Sequence, residues 1–381
     1  MSGASVSEFS ESAAPAAEIS RVGIIGTGNI APMYARTLAQ MDWVHLAAVA
    51  DGAAGRAEQF ATKFGTTACT VEEMLADPTI DAVVNLTPAH AHVAVTTAVL
   101  KAGKAAFSEK PLGVDFAEGR GLLDVAAERG LRLGCAPDTF LGAGLQAARA
   151  AIDRGAIGEP LAANGFMLGF GPEWWHPNPE IFYGPGAGPL FDMGPYYLTA
   201  LTHLLGPAKA ISASARIGVA DRVIHSKGRV GEVTTATVPT HVASTIDFVA
   251  GPVATLVTSF DVKASRYRNI EIYGTEATLA VPDPNTFGGP LMIRSLLNDD
   301  WRELPLATPN IPQQRGIGLA DMLSAQRAGR PHRASAEMAL HVLELMTGAL
   351  RSSDEGRRID LTTTCDRPAP MRFDLPTNRF D

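Results

Sequence analysis

The sequence predicts a two-domain α/β protein: an N-terminal domain on a parallel sheet, then a C-terminal α+β domain with a large, mostly antiparallel open sheet. Three observations carry this. Short β-like runs alternate with helix-like stretches from Arg21 to about Pro137, the pattern of repeated βα units and so of parallel strands with helices on both faces. Beyond Pro160, strand-like segments rich in β-branched residues follow one another across Gly and Pro turns with few helices between, as antiparallel sheet requires. A chain of 381 residues, 46% of them hydrophobic, can build two cores.

Residues 1–20, rich in Ala, Ser and Glu, lack the basic start and apolar centre of a signal peptide and read as a disordered leader. The parallel-sheet domain is expected over 21–140. Its first run, Val22 to Ile25, ends at Gly26-Thr27-Gly28-Asn29-Ile30-Ala31, where a helix begins. Gly26 permits the tight turn, Gly28 lets the backbone approach a pyrophosphate, and Ala31 stands where a small residue lets helix pack on strand; the phosphates would sit on free amides at the helix start, those of Gly28, Asn29 and Ile30. A second run, Val44 to Ala50, ends in Asp51, placed to accept hydrogen bonds from the adenosine ribose. A carboxylate there repels a 2′-phosphate, so NAD is expected over NADP, with Arg56 the one group that could rescue NADP. Further runs at 82–86, 104–107 and 131–134 and helices at 53–64, 90–102 and 115–129 complete the unit. Ligands of such a sheet bind at the carboxyl ends of its strands. Thr87-Pro88-Ala89-His90-Ala91-His92 and Ser108-Glu109-Lys110-Pro111, each directly after a strand, therefore join the glycine turn as the chemical segments.

The second domain is expected over 141–365. A helix at 143–154 and the turn Gly155 to Pro160 lead to strands at 208–219, 240–250, 253–261, 267–274, 277–281 and 291–296. One helix, 190–205, interrupts them after the glycine-rich Tyr183 to Pro189, two more follow at 316–328 and 335–352, and 366–381 reads as an irregular tail. A sheet of six or so strands needs both faces covered, and two late helices are too few for that. Subunits paired sheet to sheet, as a homodimer or homotetramer, are expected.

Composition removes several classes of function. A net charge of −8 without a basic cluster argues against nucleic acid. Cys69, Cys135 and Cys365 are far apart and without metal-ligand spacing, so no metal site is readable and a reduced, cytoplasmic protein is expected. No apolar segment of about 20 residues is present to span a membrane.

In combination and order these motifs resemble the glucose-fructose oxidoreductase, inositol dehydrogenase and rhizopine-catabolism (Gfo/Idh/MocA) family: the glycine fingerprint, Thr87-Pro88 with His92, Gly103 through Glu109-Lys110-Pro111, the Gly158-Glu159-Pro160 turn, and Gly186-Ala187-Gly188-Pro189-Leu190-Phe191-Asp192-Met193-Gly194. The resemblance runs from about 21 to 360. It implies a Rossmann domain, a second domain whose open sheet often joins subunits, and reversible NAD(P)-dependent oxidation of a hydroxyl on a sugar, a sugar derivative or a cyclic polyol. It also implies a cis Lys110–Pro111 peptide and a His92 near the nicotinamide, with Thr87 and Pro88 beside it.

Lys110 is the first catalytic candidate, because an ammonium beside the reacting carbon stabilises the oxyanion that develops as hydride leaves, and it can also bond the nicotinamide ribose. Glu109 either orients Lys110 or is a paired strand-end carboxylate. Where the family has Asp-x-Gly-x-His, this chain reads Asp192-Met193-Gly194-Pro195-Tyr196, so proton transfer passes to a phenol or moves elsewhere. Tyr196, one helical turn from Asp192, is expected to ionise more readily beside Lys110; otherwise it is a core aromatic. Trp175 and His176 sit in Trp174-Trp175-His176-Pro177-Asn178-Pro179, a loop that either contacts a sugar ring through its aromatic face or packs as a lid or interface. Asp138 touches substrate or caps the next helix. Two alternatives remain open: a redox-neutral reaction on tightly held NAD, such as epimerisation, elimination or transhydrogenation, and a dinucleotide-sensing regulator without turnover. Retention of Lys110 and Asp192 favours an enzyme.

Overall fold

Strands buried on both faces read as continuous apolar runs, and Val22–Ile25 and Ala82–Val84 are such runs, with side chains almost wholly enclosed. In the computed structural model, which describes residues 19–267, 269–297, 300–306, 314–372 and 380, they lie at the centre of a six-stranded parallel sheet. The leader expected over 1–20 lies almost entirely outside the described residues, as does most of the segment after Arg372. The strands are β1 (Ser20–Ile25), β2 (Val44–Ala50), β3 (Thr67–Ala68), β4 (Ala82–Asn85), β5 (Ala105–Ser108) and β6 (Leu133–Cys135), in the order β3-β2-β1-β4-β5-β6. Between them run α1 (Ala31–Leu38), α2 (Arg56–Phe64), α3 (Val71–Ala76), α4 (His92–Lys101) and α5 (Phe116–Glu128). Strand order reverses between β1 and β4, which opens a crevice at their carboxyl ends. The expectation of a Rossmann sheet holds. β3 and α3 were not foreseen, although Thr70-x-x-Glu73 forms a capping box that fixes the start of α3.

The second domain follows α6 (Ala143–Asp153), with β7 (Pro160–Leu168), α7 (Gly188–Asp192), α8 (Gly194–Leu205), β8 (Ala208–Arg216), β9 (Asp221–Val223), β10 (Val233–Thr235), β11 (His241–Phe248), β12 (Val253–Ser259), β13 (Ile270–Gly274), β14 (Ala277–Val281), β15 (Leu291–Ser295), β16 (Arg302–Leu304), α9 (Ile317–Ala328), α10 (Ala336–Glu355) and β17 (Ile359–Asp360). Nine of these strands form one sheet in the order β16-β15-β14-β13-β7-β12-β11-β8-β17; only β7 and β12 run parallel. The sheet is thus large, open and mostly antiparallel, as expected. β7, its centre, was not foreseen, because Ala162-Ala163-Asn164-Gly165 shows neither alternation nor β-branching.

Ile246, Leu256, Ile272, Leu279 and Ile293 share the inner face and are buried, with α6, α8 and α10 packed on that side. The register puts Phe166, Val253, Val257, Tyr273 and Met292 on the other face among Asn164, Thr245 and Thr255, where residues are half-buried or exposed. The single helix expected over 190–205 is two. Pro195 has no N–H and its ring clashes with a carbonyl one turn back, so the helix stops at Asp192 and restarts at Gly194. Finally, α9 and α10 return to the first sheet: Cys135 N donates to Ala334 O, and Gly134 bridges Ser335.

Candidate active site

Gly26 has φ +98°, and a Cβ there would lie 2.7 Å from the backbone of Leu86, so β1 can turn against the β4 loop only with glycine. A Cβ on Gly28 would meet nothing within 4 Å. The amides of Gly28, Asn29 and Ile30 have no hydrogen-bond partner among the described residues, and no side chain caps α1. Open space in front of unclaimed amides at a helix start fits a pyrophosphate.

At the end of β2, Asp51 accepts from Thr27 N (2.7 Å), Thr27 Oγ1 (2.8 Å) and Ala53 N (2.8 Å). Burial opposes its ionisation, but these bonds and the charge of exposed Arg56 outweigh burial and hold the carboxyl below its ordinary value. A fixed carboxylate therefore stands one strand away from the glycine turn. The residues present fit NAD.

The β4 loop is anchored by Asn85, a residue that no motif singled out. Its Oδ1 accepts from Thr87 N and Oγ1, and its Nδ2 donates to His92 O and Thr96 Oγ1. Thr87 is half-buried and Pro88 exposed on the crevice side of that anchor. His92 is a different case from the one expected. It is buried, with Nδ1 and Nε2 2.7 and 2.8 Å from the carbonyl oxygens of Pro111 and Thr87, so it ties the β4 and β5 loops together and does not present its ring to the crevice.

Glu109 accepts from Tyr34 Oη (2.9 Å) through Oε1 and from Lys110 N (2.9 Å) through Oε2. It is the paired strand-end carboxylate, and its hydrogen bond to Lys110 goes to the backbone. The Lys110–Pro111 peptide is cis.

Lys110 reaches across to the second domain. Its Nζ donates to Asp192 O at 2.6 Å and Asp192 Oδ1 at 3.0 Å, and lies 5.2 Å from the centroid of the Tyr196 ring. Burial would lower the lysine pKa, but Asp192, then Tyr196 and Glu109, outweigh it and raise the group above its ordinary value. Tyr196 is 6% exposed. Its hydroxyl bonds to no described residue and is not among the enclosed polar atoms. Here one expectation is overturned. Burial, the largest influence on this phenol, raises its pKa; Lys110 and Arg315 oppose that without overcoming it, because the ammonium lies over the ring face and is paired with Asp192.

Three predicted contact residues, Asp138, Trp175 and His176, are not brought to this cluster. Asp138 is fully enclosed, and its Oδ2 accepts from Gly316 N (2.7 Å) and Gly318 N (3.0 Å). It caps α9 and not the next helix; burial, against those amides and Arg315, pushes its carboxyl up to about 6. Trp175 is 63% exposed and His176 accepts from Asn178 N; with Phe182 they form an aromatic cluster that has no described contact with Lys110, Asp192 or Tyr196. The loop packs at the surface against the segment between β9 and β10, where Trp174 stacks on His225 with ring centroids 3.8 Å apart and Arg229 Nη1 donates to Pro177 O. Conversely, Arg315 was missed, although its guanidinium lies 5.4 Å from the Tyr196 ring. The one sequence signal was a cation at a helix start, where the helix dipole disfavours it.

Among the described residues no group of three His, Cys, Asp or Glu could hold a metal ion, and no helix is long and apolar enough to cross a membrane.

Comparison with known proteins places the arrangement. A family model described as the oxidoreductase family with NAD-binding Rossmann fold matches residues 20–136, and the GFO/IDH/MocA C-terminal domain matches 145–280. Inositol 2-dehydrogenase of Rhizobium meliloti strain 1021 is 26% identical over 90% of this chain and 99% of its own. The 1,5-anhydro-D-fructose reductase of Ensifer adhaerens is 28% identical over 68% of this chain and 75% of its own. Among solved structures, levoglucosan dehydrogenase in complex with NADH and levoglucosan superposes with a TM-score of 0.78 at 20% identity, covering 91% of this chain and 100% of that one. An NAD-binding oxidoreductase from Klebsiella pneumoniae gives 0.78 at 23% identity over the same shares. At such identities the solved structures establish the fold.

Proposed function

The chain belongs to the Gfo/Idh/MocA oxidoreductases, a family with an NAD-binding Rossmann domain, and on that premise we propose that it moves a hydride between NAD and a secondary hydroxyl, or the matching ketone, of a sugar, sugar derivative or cyclic polyol. The observation that carries this reading is the meeting of Lys110, from the end of β5, with Asp192 and Tyr196 of the second domain, at the crevice end of the parallel sheet. Bound NAD supplies the hydride acceptor at its nicotinamide. The remaining work is done by side chains. Tyr196, standing where the family motif has histidine, exchanges the proton of the reacting hydroxyl; Lys110 stabilises the charge on that oxygen; Asp192 fixes the ammonium. Relatives named for an inositol, an anhydro-sugar and levoglucosan support a cyclic polyhydroxylated substrate. A screen of monosaccharides, inositols, anhydrosugars and glycosides for NADH formation tests the proposal, and no turnover with any of them would count against it.

NAD is the preferred dinucleotide in this reading, because a fixed Asp51 carboxylate beside a 2′-phosphate is repulsive. Asp51→Ala is expected to narrow the preference in paired NAD+ and NADP+ titrations. Comparable or tighter NADP+ binding by the unaltered protein would remove the claim. The protein also forms homodimers or homotetramers through the outer face of its large sheet, which no described helix covers and which places Phe166, Val253 and Val257 side by side. Light scattering should give a multiple of 40.1 kDa at micromolar concentration, and a single-chain mass contradicts it. The three free cysteines support a reducing, cytoplasmic setting.

A further inference from the structure

Two cations lie near the ring of Tyr196, and they differ in one respect. Lys110 has a carboxylate partner, Asp192 Oδ1, at 3.0 Å. Arg315 has none within 4 Å among the described residues. Its Nη2 donates to Asn285 Oδ1 at 2.6 Å, its Nη1 is enclosed without a partner among the described residues, and the residue is only 6% exposed.

Burying a guanidinium with an unpaired N–H, at the start of a helix, is costly on three counts: desolvation, a lost hydrogen bond and the helix dipole. The surroundings nevertheless hold it firmly. Asn285 N donates to Asp283 Oδ1 on one side, and on the other the next residue, Gly316, donates its N–H to Asp138. The feature this placement serves is the phenol ring 5.4 Å away.

We propose that Arg315 is a positioning residue for Tyr196, its guanidinium being a second positive charge, without a direct ion-pair partner among the described residues, that stabilises the phenolate and makes a tyrosine workable where the family motif has histidine. The charged groups around Tyr196 are Lys110 and Arg315, which favour the phenolate, and Glu109 and Asp192, which disfavour it. Lys110 acts on the phenol more strongly than Arg315 but shares its charge with Asp192, and Arg315 adds a second favourable charge to the balance. The inference rests on the proposed role of Tyr196, and it concerns ionisation, which is measurable without turnover.

The test places a fluorotyrosine at position 196 of the full chain, where its lower intrinsic pKa brings the titration into a range in which the protein stays folded, and follows its fluorine resonance with pH. Arg315→Met should move the midpoint upward by about one pH unit or more, about tenfold less phenolate at a given pH, and Arg315→Lys should restore most of it. Where the methionine variant fails to fold, Arg315→Gln is read in the same way. A midpoint that stays within error of the parent protein in the neutral variant overturns the proposal. If the titration shifts while every sugar fails as substrate, the electrostatic role stands and the dehydrogenase reading falls; if Tyr196→Phe loses turnover while the titration is indifferent to Arg315, the reverse holds.

Discussion

Lys110→Met is expected to lower kcat by at least about a hundredfold, the usual lower bound for removing a group that carries transition-state charge or proton transfer. NADH affinity should fall by less than about tenfold, since at most one hydrogen bond to the cofactor is lost. The geometry explains the asymmetry. In the proposed reading the glycine turn and Asp51 hold the dinucleotide, whereas among the described residues the Lys110 ammonium is the only Rossmann-domain side chain that bonds Asp192. The variant also leaves Asp192 with no ionic partner, so Lys110→Met combined with Asp192→Asn should cost much less than the sum of the two single changes. Its pH behaviour follows from the raised lysine pKa. A group raised in the folded state contributes its stabilisation fully below its unfolded value, about 10.4, and loses it only as pH rises through the higher folded value. The Lys110–Asp192 pair should therefore not titrate near neutrality, and any activity change there belongs to another group. Retention of most of the wild-type kcat in Lys110→Met would show that the ammonium is a structural tether.

The first half of this site was legible in the sequence because its determinants are local. A glycine that must take φ +98°, a small residue at the helix start and a carboxylate at the next strand end sit where strand-to-helix transitions can be read directly. The second half was legible in part. The short helix carrying Asp192 and the one carrying Tyr196 were read as one, and the proline that separates them was in view as Pro195. Three things were hidden because they depend on distant partners. β7 has no strand pattern of its own and becomes one because β12 and β13 flank it. Asp138 looked like a local cap, yet its amide partners lie 178 and 180 residues further on. Arg315 has no motif around it, and its importance arises only because the segment before α9 passes beside Tyr196. His92 shows what burial adds: resemblance implies a place near the cofactor, and its ring lies between two carbonyls that give it a bracing role.

Tyr196→Phe is expected to abolish the pH dependence of hydroxyl oxidation as well as most of its rate. A phenol whose pKa is raised by burial stays protonated at neutral pH, so in the oxidising direction only a small fraction of the enzyme is ready to accept a proton, and that fraction grows about tenfold per pH unit. The rate of oxidation should thus climb steadily above pH 7 with no plateau below the ordinary phenol value of about 10. Reduction of the ketone has the opposite demand. It needs the proton in place, which the neutral phenol supplies, so kcat for reduction should be nearly flat from neutral pH upward until the same group titrates. Removing the hydroxyl leaves the ring between Lys110 and Arg315 and hence the packing, so NAD binding and thermal stability should change little while kcat falls by about a hundredfold to ten-thousandfold. The residual activity should have lost the alkaline climb. A phenylalanine variant that still climbs with pH would move the proton transfer to another group, and one that changes KM alone would leave Tyr196 as a residue that holds the substrate hydroxyl without taking its proton.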